Sequence, residues 1–186
     1  MGLPEGDTKE RALRALAGAL STARTRYALI GGVAVQLYTK EPRTTADLDV
    51  ALASHEDLPR AQLEAAGFKH ERTFGHSDNW RAPGPEPRKQ RTAVQFSVDR
   101  LTPGAVERAE TFRVRGMRLK VASLVDLVSL KLEAAEERRR RPSKRVSDVR
   151  DVLALLEEHP ELEAKVPDAR RRAARVARIA TAGEAP

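Results

Sequence analysis

Apolar and polar positions alternate along this chain with two different periods, and the changes of period mark its elements. Residues 7–24 set Leu13, Leu16 and Leu20 on one face of a helix, with Asp7 and Glu10 spaced as a capping box. A short apolar run over 27–31 reads as a strand and residues 32–38 as a helix. In the strand over 47–52, Leu48, Val50 and Leu52 alternate with Asp47, Asp49 and Ala51, the pattern of a half-buried strand. A helix is predicted over 56–66, ended by Gly67, and a strand over 68–74. Residues 75–90 contain Ala82-Pro83-Gly84-Pro85-Glu86-Pro87 and are expected to form a long mobile loop. A strand over 92–98 follows, with Val94, Phe96 and Val98 on one face. Strands over 111–115 and 117–121 make a hairpin turning at Gly116. From Ser123 onwards the pattern is helical, broken at Pro160 and Pro167, and it ends in an arginine–alanine helix over 168–180. The expected fold class is α+β: a small mixed sheet flanked by helices, then a C-terminal helical region. The boundary is placed between a core over 1–121 and a helical region over 122–186 packed on it.

Candidate chemistry gathers in residues 27–52. Gly31-Gly32 follows the apolar Ala28-Leu29-Ile30 and precedes Val33-Ala34-Val35. Glycine lets the backbone turn sharply and lets a ligand approach its amides. Free N–H groups at a helix start favour phosphate. Asp47 and Asp49 sit two apart on a strand, so their side chains point the same way with Cα atoms about 6.6 Å apart. Two facing carboxylates repel, and a magnesium (or manganese) ion relieves that repulsion while leaving ligand positions for water and substrate phosphates. Taken alone, Gly-Gly is a common turn and Asp-x-Asp a common surface pair. In this order and spacing they point to a site for a divalent cation and a nucleoside triphosphate.

These residues resemble the nucleotidyltransferase superfamily that includes DNA polymerase β, and within it the AbiEii-type toxin nucleotidyltransferases. The family pattern is Gly-Gly or Gly-Ser after a strand, then Arg-x-Thr-x-Asp-apolar-Asp. This chain has Gly31-Gly32, then Arg43-Thr44-Thr45-Ala46-Asp47-Leu48-Asp49. The likeness is close over this segment and looser in the later helical part; residues 1–20 and 160–186 carry none of it. It implies a nucleotidyltransferase fold and transfer of a nucleoside monophosphate from an NTP to an acceptor hydroxyl, with release of pyrophosphate. Asp47 and Asp49 would hold the metal, Gly31 and Gly32 the phosphates, and Arg43 and Thr45 would belong to the nucleotide site. A third carboxylate from a neighbouring strand is implied, for which Asp99 is the candidate. Asp99 shares the polar face of its strand with Gln95 and Ser97; either of those in its place would leave the site one acid short. The resemblance also sets Lys131 against the triphosphate and includes Asp148 in the nucleotide site. The alternative for Lys131 is a lysine at the edge of an apolar face. Asp148 and Asp151, one turn apart near a helix start, also suit capping and ion pairing with Arg138–Arg141.

Composition narrows the reading further. The chain has 186 residues, 40% of them hydrophobic, enough for one compact core with a helical appendage. Without cysteine it has no disulfide framework and no thiolate zinc site. His55, His70, His76 and His159 lack ligand spacing. No apolar run approaches the roughly 20 residues of a bilayer span, and the first residues lack the regions of a signal peptide, so a cytoplasmic protein without membrane contact is expected. The net charge of +7 suits an acidic partner: a nucleotide, RNA or an antitoxin protein. The resemblance implies tRNA or another RNA as acceptor, with proteins and small molecules such as aminoglycosides left open, and a cognate antitoxin as partner. Two other readings stand beside the enzyme. One is a weak or inactive protein of the same fold that binds nucleotide, RNA or another protein; the other is a basic nucleic-acid module built on the helix over 168–180.

Overall fold

The computed structural model describes residues 8–39 and 47–181; Arg43 and Thr45 lie outside the described residues. The chain divides into two compact units, Met1–Ser123 and Leu124–Pro186.

The first unit contains, in chain order, α1 (Thr8–Thr22), β1 (Ala28–Ile30), α2 (Gly31–Thr39), β2 (Asp47–Ala51), α3 (Arg60–Ala65), β3 (Lys69–Phe74), β4 (Ser77–Arg81), β5 (Ala93–Ser97), α4 (Thr102–Glu107), β6 (Glu110–Val114) and β7 (Met117–Val121). The strands form one sheet in the order β3-β4-β5-β2-β1-β7-β6. The sheet is mixed. β2 runs antiparallel to β1 and parallel to β5, and β1 runs parallel to β7. One face of its central strands is apolar: Leu48 and Val50 of β2 stand level with Val94 and Phe96 of β5, all fully buried. Trp80 of β4, also fully buried, stands level with Val94. Each such side chain contributes about 1.5–3 kcal/mol by leaving water. Leu13, Leu16 and Leu20 of α1 are buried too, as their helical spacing predicts, and α1 packs against α3 and β7. The β6–β7 hairpin turns where expected. Arg115 and Gly116 both have positive φ, +47° and +77°, as a tight two-residue hairpin turn requires.

Two elements differ from the expectation. The expected loop over 75–90 contains β4, a strand with partners on both sides. Its sequence, Ser-Asp-Asn-Trp-Arg, hides the alternation because an aspartate occupies a core-facing position. Asp78 is buried there and accepts hydrogen bonds from Trp80 Nε1 (3.0 Å), Thr73 Oγ1 (3.0 Å) and Arg60 (2.6 Å), with His70 Nε2 at 3.0 Å. A buried carboxylate is tolerated when its oxygens are satisfied in this way. The second difference is α4, which begins three residues after Asp99 in a stretch to which the sequence assigned no element.

The second unit is helical: α5 (Leu124–Glu136), α6 (Pro142–Glu158), α7 (Leu162–Lys165) and α8 (Ala169–Thr181). Among the described residues no helix is long and apolar enough to cross a membrane. Val149, Val152, Leu155 and Leu156 of α6 are buried, and α6 packs against both α5 and α8. Buried Arg145 donates from Nε to the Ala135 carbonyl at the end of α5, 2.8 Å away. Arg172 forks onto Glu136 at 2.9 and 2.6 Å, joined by Arg175 at 3.0 Å. The hydrogen bond from Arg172, reinforced by Arg175, holds the Glu136 carboxyl below its ordinary range.

Candidate active site

Gly31 ends β1 and opens α2 with φ +68°, a conformation that glycine adopts without strain. Ile30 pairs with Asp49 across the β1–β2 ladder, so the glycine meets this aspartate directly. A Cβ built on Gly31 would overlap the Asp49 carboxylate and fall 2.8 Å from its Cβ. The absent side chain is therefore the space that Asp49 occupies. Asp47 and Asp49 share the face of β2 opposite Leu48 and Val50; Asp47 is exposed and Asp49 half-buried. Asp49 thus lies at the start of α2, where free N–H groups and the helix dipole favour anionic groups.

The third expected carboxylate is not brought to this pair. β2 and β5 run parallel with Asp49 level with Gln95, and Ala51 level with Ser97. Asp99 lies two residues beyond the end of β5, past the far end of β2 from Asp47. Its Oδ1 accepts the backbone N–H groups of Leu101 (2.8 Å) and Thr102 (3.1 Å) at the entry to α4. The neutral Gln95, which donates to Ser97 Oγ at 3.3 Å, stands beside Asp49 instead. Parallel pairing fixes this: the register puts Gln95, not Asp99, level with the acids. Asp99→Asn keeps the turn's acceptor oxygen and removes only the charge, so nucleotidyl transfer is expected to stay within about three-fold of the parent. Asp99→Ala is expected to cost about 1 kcal/mol of stability, the usual loss of a capping acceptor. Urea titration and a transfer assay check both.

Among the described residues no group of three His, Asp or Glu side chains is arranged to hold a metal ion. Two carboxylates nevertheless fit a magnesium ion, which commonly takes one or two protein carboxylates and completes its shell with water and substrate phosphates. A cleft of about 620 Å³ opens elsewhere. It is lined by Arg24, Arg26, Glu56, Asp57 and Glu107, at the opposite end of β1 and β2 from Gly31 and Asp47.

In the second unit, Lys131 of α5 reaches Asp148 (2.8 Å) and Asp151 (2.9 Å) of α6. Arg140 meets the other oxygen of Asp148 at 3.0 Å. Both aspartate side chains are 4% exposed and the lysine side chain 13%. Burial works against the lysine's charge, but attraction and hydrogen bonds from the two carboxylates outweigh it and hold its pKa above the ordinary value. Most arginines of α8 are engaged with acids of this unit: Arg170 with Glu163, Arg171 with Asp168, and Arg172 and Arg175 with Glu136.

Residues 14–184 match the family described as nucleotidyl transferase AbiEii toxin, Type IV TA system. The chain belongs to the AbiEii nucleotidyltransferase family. The AbiEii match reaches further at both ends than the motifs do, taking in parts of 1–20 and 160–186 where the sequence shows no likeness. Membership makes this protein a nucleotidyltransferase. No curated protein matches the chain. Solved structures that share its fold include three neighbours. An antigenic nucleotidyltransferase-like protein from Paracoccidioides brasiliensis aligns with TM-score 0.56 and 21% identity, covering 94% of this chain and 95% of that one. ANT(2″)-Ia, solved with adenylyl-2″-tobramycin, aligns with TM-score 0.57 and 13% identity over 91% and 97% of the two chains. JHP933 from Helicobacter pylori aligns with TM-score 0.50 and 16% identity over 97% and 92%.

Sequence reasoning missed Asn79 and Arg81 as strand residues, because 75–90 reads as a loop. Gly75, with φ +40° and extended runs on both sides, is the turn signal that marks the hairpin.

Proposed function

We propose that this AbiEii-family protein transfers a nucleoside monophosphate from an NTP to the hydroxyl of an RNA acceptor, in a magnesium-dependent reaction, as the toxin partner of a cognate antitoxin. The observation that carries the reading is the seat of Asp49 against the side-chain-free Gly31, with Asp47 beside it on the same face of β2. The acceptor oxygen bonds to the α-phosphorus, the bond to the β-phosphate bridging oxygen breaks, and pyrophosphate leaves. A magnesium ion held by Asp47 and Asp49 would supply charge neutralisation at the phosphates. Gly31 and Gly32 offer the backbone at the start of α2 to the β- and γ-phosphates. Lys131 and Asp148 enter through the family motif they match, the lysine as a point charge on the triphosphate. Arg43 and Thr45 are assigned to the nucleotide on the same ground. Gln95 cannot take a proton, so the acceptor proton leaves to solvent or to one of the two aspartates. Asp99 is left out of this site by its role at α4. Such catalysis is mainly positioning and charge stabilisation.

The test is incubation with total tRNA, magnesium and each of four α-labelled NTPs, with Asp47→Ala/Asp49→Ala as control. Label is expected in RNA with one NTP, and the variant should lose about 1,000-fold or more, the scale of removing a preorganised charge-stabilising group. Equal labelling by parent and variant would overturn the assignment. Chelation should abolish labelling, and added magnesium should restore it.

A further inference from the structure

The acid pair stands at one side of a polar sheet face that continues across three more strands. Register fixes the rows. Asp49 is level with Gln95, Gln95 with Asn79, and Asn79 with Arg72. Beside that row, Asp47 is level with Ala93, Ala93 with Arg81, and Arg81 with Lys69. The rows span three strand spacings, about 14 Å. The edge strand β3 is exposed along its whole length. Phe74 is 57% exposed on this side, with the Arg72 guanidinium 4.8 Å from its ring centroid. Arg81 and Arg88 flank a single carboxylate, Glu71, at 3.0 and 3.8 Å, while Lys69 and Arg72 are exposed. Away from the acid pair the face is thus cationic, with an aromatic ring and a row of neutral amides.

We infer that this face, formed by β5, β4 and β3, is the platform for a single-stranded RNA acceptor whose terminal hydroxyl lies at Asp47 and Asp49. The inference rests on the proposed transfer to RNA and names the surface that serves it. Arg72 and Lys69 attract backbone phosphates, and release of counterions supplies much of that affinity. Phe74, held by Arg72 on one side, offers a ring for a base to stack on, which tolerates any sequence. Gln95 and Asn79 carry both donors and acceptors and suit the 2′-hydroxyl, the group by which a protein tells RNA from DNA. Single strands fit because unstacked bases are needed to reach the ring.

The test measures binding of a fluorescent single-stranded 12-mer RNA by anisotropy, without NTP, against Arg72→Ala/Phe74→Ala. Both side chains are exposed, so the unfolding transition should not move. The double variant is expected to bind at least 10-fold more weakly. Arg72→Ala alone should lower the slope of log affinity against log salt by about 0.7. DNA of the same sequence should bind at least 5-fold more weakly than RNA. Magnesium-dependent NTP binding, measured separately, should be unchanged in these variants and lost in Asp47→Ala/Asp49→Ala. RNA affinity equal to the parent's in the double variant would overturn the platform, and equal affinity for DNA would overturn its assignment to RNA. Loss of NTP binding in the parent itself would instead count against the transfer reaction.

Discussion

Gly31→Ala is expected to lower nucleotidyl transfer by about 100-fold or more, the scale of displacing a reacting group by about 1 Å. The matched control is Gly116→Ala. Both glycines have positive φ, +68° and +77°, so alanine at either pays the left-handed penalty of about 1–2 kcal/mol. Only at Gly31 does the new methyl meet anything: it falls 2.7 Å from Asp49 Cγ, whereas nothing lies within 4 Å at Gly116. The carboxylate must therefore leave its place in one variant and not in the other. Transfer measured with labelled NTP, beside urea unfolding, separates strain from displacement. Equal activity in the two variants would show that the seat of Asp49 on Gly31 does not position the chemistry.

Lys131→Met is expected to destabilise the second unit by about 3–5 kcal/mol, the cost of removing one partner of a buried ion cluster. Two aspartates, each 4% exposed, would lose the lysine they share, with Arg140 still at Asp148. Adding Asp148→Asn and Asp151→Asn removes the stranded charges, and most of the lost stability should return. The pH dependence follows from the direction of the lysine's shift. Its folded pKa is raised, so its contribution is fully present below the ordinary value of about 10.4 and fades only as pH rises through the folded one. The unfolding midpoint of the parent should therefore show no loss from this cluster between neutrality and pH 9.

The signature segment was legible because its meaning is local. Gly31-Gly32 and the alternation of Asp47, Leu48, Asp49 and Val50 need no distant partner to define a turn and a strand face. What eluded the sequence depends on pairing between segments. The same alternation that puts Asp99 on a polar face puts Gln95 there too, and only the β2–β5 register chooses between them. β4 was hidden for a related reason. Asp78 looks like a loop residue until Trp80, Thr73 and Arg60 are seen to satisfy its oxygens. The Lys131 cluster lay between: Lys131 and Asp148 were singled out from motif likeness and Asp151 as a structural acid, while their mutual ion pairs follow from the packing of α5 on α6.

The parallel pairing of β1 with β7 sets Leu29 against Val121. During synthesis, the strand that leads into Gly31 is therefore made early and waits for one neighbour that leaves the ribosome near the end of the first unit. Contacts so distant in sequence slow folding, because the chain between them must be closed before they give any return. Until β7 arrives, β1 presents an open hydrogen-bonding edge beside the strand of acids, and unpaired edges of this kind invite association with other chains. A nascent chain of this protein thus passes through a window in which a chaperone or a co-expressed partner can capture it by that edge, before the enzyme has finished forming.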